Sequence, residues 1–176
     1  MSENRLTLIE PTESLQDAYL DFLADFRAAG EKDIHGAGGI MTGDFAEFVQ
    51  LLENQAQGID LTDGRVPAGT YWLVLDDKEV VGTVNLRHRL TPFLEHEGGH
   101  IGYSVRPSQR RKGYASTMLA MMLDKARQLG LPCVLITCDK DNVASAGVIR
   151  RNGGVLENEV FSERDGKLMQ RYWIDL

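Results

Sequence analysis

A chain of 176 residues with 43% hydrophobic content is long enough for one domain with a sizeable core, and no stretch approaches the length of a membrane span. Its formal charge of −7 argues against a general nucleic-acid surface, which needs a basic face. The two cysteines, Cys133 and Cys138, stand five residues apart in one apolar run, a spacing that suits neither a disulfide nor a zinc pair and reads as two buried thiols in a reducing compartment. The opening MSENRLTLIE is polar and charged, so no signal peptide is read there and a cytoplasmic protein is expected.

Residues 5 to 9 alternate weakly and suggest a first strand, broken at Pro11-Thr12. Ser14 followed by Asp17 resembles a helix-start box. Leu15, Tyr19, Phe22, Leu23 and Phe26 then recur at helical spacing up to Gly30. A loop bearing Gly36, Gly38 and Gly39 leads to Thr42 or Asp44, either able to cap a second helix with Phe45, Phe48, Val49, Leu52 and Ala56 on its apolar face. The segment 58–69, with three glycines and Pro67, is read as a loop. Residues 70–75 and 80–87 form a predicted antiparallel hairpin around Asp76-Asp77-Lys78, and 91–97 is read as a loop.

The stretch from Gly99 to Leu129 organises the chain. A short apolar run (101–105) stops at Pro107. Arg106, Arg110, Arg111 and Lys112 follow with no acid among them, and Gly113 and Ala115 open a helix-patterned segment. Strand, basic loop and helix start make an anion site, because the first N–H groups of a helix lack internal partners and the helix dipole favours negative charge there. The helix carries Met118, Leu119, Met122 and Leu123 on one face, a stripe read as core filling. Residues 133–138 read as a buried strand, 142–151 as a short helix ended by Gly153-Gly154, and 155–161 and 168–174 as two strands around Asp165-Gly166.

The run Arg110-Arg111-Lys112-Gly113-Tyr114-Ala115 resembles the Arg/Gln-x-x-Gly-x-Gly/Ala signature of GNAT-type N-acetyltransferases. Asn142, Ser145 and Gly153 resemble the later signature of the same family. The resemblance implies an α/β (α+β) GNAT-like acyl-CoA N-acyltransferase fold, with a mixed, mostly antiparallel sheet flanked by about four helices. It implies one domain over 1–176, with a helix pair and acceptor loops in 1–69 and a cofactor-binding core in 70–176. It also implies acetyl-CoA as co-substrate, entering between the strand before Arg106 and the strand ending at Cys138. Ser104, Val105, Arg110, Arg111, Lys112, Gly113, Tyr114, Ala115, Ser116, Asn142 and Ser145 become cofactor-binding candidates. Asn142 reads equally well as a plain helix cap.

The chain departs from the family at two places. The phenylalanine usual after the last glycine is here Gly154. Many members carry a tyrosine seven residues after that asparagine, read as the acid that protonates the leaving thiolate; here the position is Ile149. Tyr103, Tyr114, Ser145 or a water could replace it. This departure keeps an alternative open, a non-catalytic acyl-CoA-binding or regulatory module on the same fold.

Acetyl transfer to an amine needs a base, a donor for the oxyanion and charge to meet the phosphates. His100, with an ordinary pKa near neutrality, and Glu97 are the candidates for the base. A backbone N–H near Ser104 or Val105 can serve the oxyanion. Glu31, Asp33 and His35 lie in the Gly-rich loop where the family builds its acceptor site. No metal is expected from the His and Cys spacing, and no phosphate-loop Gly-x4-Gly-Lys-Ser/Thr run is present. The predicted partner is a small-molecule or peptide amine, with no nucleic acid and no membrane; homodimerisation is left open.

Overall fold

The computed structural model describes residues 5–176, so the reading of the first four residues lies outside it. In chain order the elements are β1 (Leu6–Ile9), α1 (Gln16–Ala28), α2 (Phe45–Gln57), β2 (Ala68–Leu75), β3 (Glu79–Arg87), α3 (Pro92–His96), β4 (Ile101–Val105), α4 (Tyr114–Gln128), β5 (Cys133–Asp139), α5 (Val143–Arg151), β6 (Val155–Ser162) and β7 (Lys167–Asp175). Short 3₁₀ turns at Glu13–Leu15 and Pro107–Gln109 precede α1 and α4.

Local chemistry explains most boundaries. The Asp44 carboxylate accepts from the N–H groups of Ala46 (2.8 Å) and Glu47 (3.2 Å), and Gly58 ends α2 in the left-handed conformation at φ 75°. Asn142 caps α5 by accepting from Ser145 N–H at 3.0 Å. Two sequence expectations need correction. Thr12, not Ser14, caps the first turn, accepting from Ser14 N–H, and α1 itself starts without a side-chain cap. The loop expected at 91–97 contains α3, because Thr91 accepts from Leu94 N–H at 3.3 Å and Pro92 takes the first helical position, where its missing N–H costs nothing.

The strands form two antiparallel sheets, ordered β1-β2-β3-β4 and β5-β7-β6. Two cores flank the first sheet. On one side α1 and α2 pack Tyr19, Phe22, Phe26, Phe45 and Phe48 around Trp72, with the Tyr19 and Trp72 rings stacked 4.4 Å apart. On the other side α4 lays Met118, Leu119, Met122 and Leu123 against β3, β4 and β5. Burying each such side chain contributes about 1.5–3 kcal/mol, so the methionine stripe is core, as its spacing suggested. Cys138 is buried, but Cys133 is only half-buried, which corrects the reading of both thiols as interior; neither is in a disulfide.

The two sheets meet at β4 and β5 and are not laddered together. Among the described residues one backbone hydrogen bond joins them, from His100 N–H to the Leu135 carbonyl at 2.7 Å. Gly99 makes that approach feasible: its φ is +61°, and a Cβ there would lie 2.4 Å from the Leu135 oxygen. The cleft opens at this junction.

Candidate active site

The register of β4 decides which of its backbone groups are free. Arg106 N–H donates to the Val81 carbonyl (2.9 Å) and Arg87 N–H to the His100 carbonyl (2.8 Å). With Thr83 paired to Ser104 and Asn85 to Gly102, these bonds mean that even-numbered residues of β4 bond to β3. Odd-numbered N–H groups, those of Tyr103 and Val105, therefore face the open edge. Of the two positions named for the oxyanion donor, the pairing leaves Val105 free and commits Ser104 to the sheet.

The loop after β4 presents an uninterrupted row of donors. Among the described residues the N–H groups from Arg111 to Ser116 have no partner within the protein. Arg111 (φ 62°) and Gly113 (φ 83°) adopt left-handed conformations that curl the loop, and a Cβ built on Gly113 would meet nothing within 4 Å. This concavity, with a helix start behind it and the exposed Arg111 and Lys112 beside it, fits a diphosphate. The Lys112 ammonium rests on Gln109 Oε1 at 2.5 Å. Asn152, which the sequence reading passed over, donates from its side chain to Ser116 Oγ (3.1 Å) and pins the start of α4 to the end of α5. Tyr114 is buried in the core and Ala115 packs against it.

Two of the four basic residues of this stretch are spent on architecture. The buried Arg106 guanidinium pairs with Asp21 (2.8 Å), Asp25 (3.0 Å) and Glu79 (3.3 Å), locking α1 to the end of β4. Arg110 grips Glu31 with two bonds of 2.7 Å and donates through Nε to the Val105 carbonyl at 3.0 Å. The hydrogen bond from Arg110 lowers the Glu31 carboxyl pKa.

A cleft of about 1260 Å³ lies between the Gly-rich loop, α3, the β6–β7 turn and the split between β4 and β5. Tyr103, Glu97, Cys138, Asn142 and Ser145 line it, as do Glu31 and His35. The Tyr103 hydroxyl lies 2.9 Å from Ser145 Oγ. Burial pushes its pKa up to about 12, against the contrary pull of the Ser145 bond. Glu97 closes α3 and is only 6% exposed. Its Oε2 is enclosed and has no hydrogen-bond partner. An enclosed carboxylate oxygen without a donor is costly, and such groups in native proteins call for a reason.

His100 is placed elsewhere. Its Nδ1 accepts from Leu135 N–H at 2.9 Å and its ring lies edge-on to Trp173, 6.4 Å between centroids. Burial, then the Arg87 charge, pushes its pKa down to about 4. The ring fastens the two sheets at the base of the cleft and is absent from the cleft lining, which corrects its reading as a candidate base. Ile149 is fully buried in the core, so nothing reaches the cleft from the position where a tyrosine would stand.

This architecture is that of an acyl-CoA acetyltransferase, two sheets splayed around a donor-lined loop. The sequence profile of the acetyltransferase (GNAT) domain matches residues 5–155, and the chain belongs to that family. Solved structures agree on the fold. A Salmonella typhimurium acetyltransferase that modifies the N-terminal serine of ribosomal protein L7/L12 superposes with a TM-score of 0.68 at 22% identity, covering 97% of this chain and 95% of that one. The Vibrio fischeri ribosomal-protein-S5-alanine acetyltransferase gives 0.69 at 17% identity, with coverage of 99% and 95%. The microcin C7 self-immunity acetyltransferase MccE, solved with acetyl-CoA and AMP, gives 0.66 at 14%, with coverage of 97% and 92%. No curated protein sequence matches this chain.

Proposed function

We propose that this protein is an N-acetyltransferase that moves the acetyl group of acetyl-CoA to a primary amine of a small molecule or peptide, by direct attack within a ternary complex in the cytoplasm. Acetyl-CoA supplies the acetyl group as an activated thioester. The free N–H row from Arg111 to Ser116, with the Arg111 and Lys112 side chains, holds its diphosphate. Asn142 and Ser145 flank the cofactor on the other wall. The Val105 N–H donates to the oxygen on which negative charge develops. Glu97 takes the proton of the attacking amine, directly or through one water. Tyr103, oriented by Ser145, gives a proton to the departing sulfur, a role suited to a hydroxyl that keeps its proton at neutral pH.

The observation that carries this reading is the enclosed, unpartnered Oε2 of Glu97 in the cleft. A bound ammonium or amine satisfies it, and no group among the described residues does. Mass spectrometry of products from acetyl-CoA and a mixed amine library is the test. Acetylated amine is the expected outcome. Coenzyme A binding without any acetylated product would instead define a non-catalytic acyl-CoA-binding module.

A further inference from the structure

Beside the cleft lies a second cavity of about 340 Å³. The two share Gly36, Arg87, Leu94 and Gly102 in their linings, so they adjoin. The smaller chamber is lined by two charged residues, Arg65 and Arg87, and by no carboxylate. That is unusual in a chain carrying −7 overall. Arg106 and Arg110 show what this fold does with guanidinium groups near its interior: both are met by acids at 2.7–3.3 Å. Among the described residues the half-buried Arg87 and the exposed Arg65 are met only by backbone. Arg87 donates through Nη1 to the carbonyls of Gly98 (3.0 Å) and Gly99 (2.9 Å), and Arg65 through Nη1 to the Gly38 carbonyl at 3.4 Å.

Carbonyl oxygens orient a guanidinium and do not neutralise it. Burial lowers the Arg87 pKa, and the charge of the neighbouring, exposed Arg65 at the mouth of the same open pocket lowers it further. An anion in that space offsets both costs, and a guanidinium fork is shaped to bind a carboxylate or phosphate with two parallel bonds. The placement relative to the site also matters. Gly98, which anchors Arg87, is the residue after Glu97. The buried polar side chains of Asn85 and Gln55 complete the chamber and suit an acid headgroup better than an alkyl chain.

We infer that the Arg65–Arg87 chamber selects the acceptor: the amine acetylated by this protein carries an anionic group, carboxylate or phosphate, a few bonds from its nitrogen, with the anion on Arg65 and Arg87 and the amine at Glu97. The inference rests on the transfer reading for the amine and on the chamber alone for the anion, and the two are tested separately. Calorimetry with succinate, an acid without an amine, on the coenzyme A-loaded protein tests the chamber directly. Binding that weakens about tenfold in Arg65→Gln is expected. No binding, or binding indifferent to Arg65→Gln, overturns the inference whether or not any amine is acetylated. Matched amines test selection. β-Alanine against β-alaninamide, and O-phosphoethanolamine against ethanolamine, separate the two anions. At least one anionic member is expected to exceed its neutral partner about tenfold or more in kcat/KM, with the ratio falling towards one in Arg65→Gln and in Arg87→Lys while coenzyme A affinity holds. Neutral amines acetylated as well as both anionic ones overturn it. Coenzyme A and succinate binding without acetylation of any amine would remove the transfer reading and with it the assignment of the acceptor, leaving an anion chamber.

Discussion

The side of the cleft proposed for coenzyme A and the side proposed for the acceptor differ in how far apart their parts lie in the chain. The coenzyme side is almost contiguous: β4, the loop and the first turn of α4 span residues 101–116, with α5 added across the cleft. Its working groups are mostly peptide N–H donors, set by φ angles at Arg111 and Gly113. The proposed acceptor side gathers Ile34 to Met41, Arg65, Arg87 and Glu97 from four separate segments. Its working groups are side chains. A backbone site tolerates changes of side chain, whereas a side-chain site changes specificity with single substitutions and leaves the fold alone.

Substitutions that break this contrast should follow it in size. Gly113→Val forces a β-branched residue into a left-handed conformation and fills the concavity beside the free N–H row. Coenzyme A affinity, read by calorimetry, should fall about 100-fold or more. Affinity within a few-fold of wild type would mean that the diphosphate lies elsewhere. On the proposed acceptor side Glu97→Gln keeps the shape and removes the proposed base. A loss of about 100- to 1000-fold in kcat is expected with coenzyme A binding intact. A kcat within a few-fold of wild type in this variant would exclude Glu97 as the base. Tyr103→Phe should cost less, about tenfold in kcat, because a water can reach Ser145 Oγ in its place. Thioesters whose thiols have lower pKa values need less protonation and should narrow that loss. An equal loss for all thioesters would remove Tyr103 from the departure step.

The same contrast explains what could be read from the chain. The donor loop was legible because its determinants are local: Pro107 stopping a strand, Gly113 turning, a helix pattern beginning at once. The strands and long helices were legible from apolar periodicity for the same reason. The part taken by each arginine was not. Arg110 read as a phosphate ligand by proximity to Gly113, and Arg106 as part of the same basic stretch, yet their partners Asp21, Asp25 and Glu31 lie some 80 positions earlier, and only the tertiary fold brings them together. Arg87 read as the end of an apolar strand, and nothing local marks it as a cavity wall. The short α3 was missed because its five residues carry no periodicity; only Thr91-Pro92 hinted at its start.

The last effect falls on stability and not on activity, and concerns the base of the cleft, where the two sides join. His100 holds the sheets together as a neutral ring, its Nδ1 accepting from Leu135 N–H. In the unfolded chain the ring takes up a proton near its ordinary pKa of 6.5, but in the fold it resists until about pH 4. Between those values the unfolded state binds more protons, so stability is complete above about pH 6.5 and declines as pH falls towards 4. The full decline attributable to this ring is about 3 kcal/mol. Urea denaturation at intervals across that window should show wild type losing stability more steeply than His100→Asn, whose amide oxygen can still accept from Leu135 N–H without titrating. His88, whose pKa burial also lowers, contributes equally to both proteins and cancels in the difference. Parallel slopes would show that the ring titrates freely, and the join between coenzyme side and acceptor side would then owe its stability to the single backbone bond from His100 and to the packing of α4 across β4 and β5.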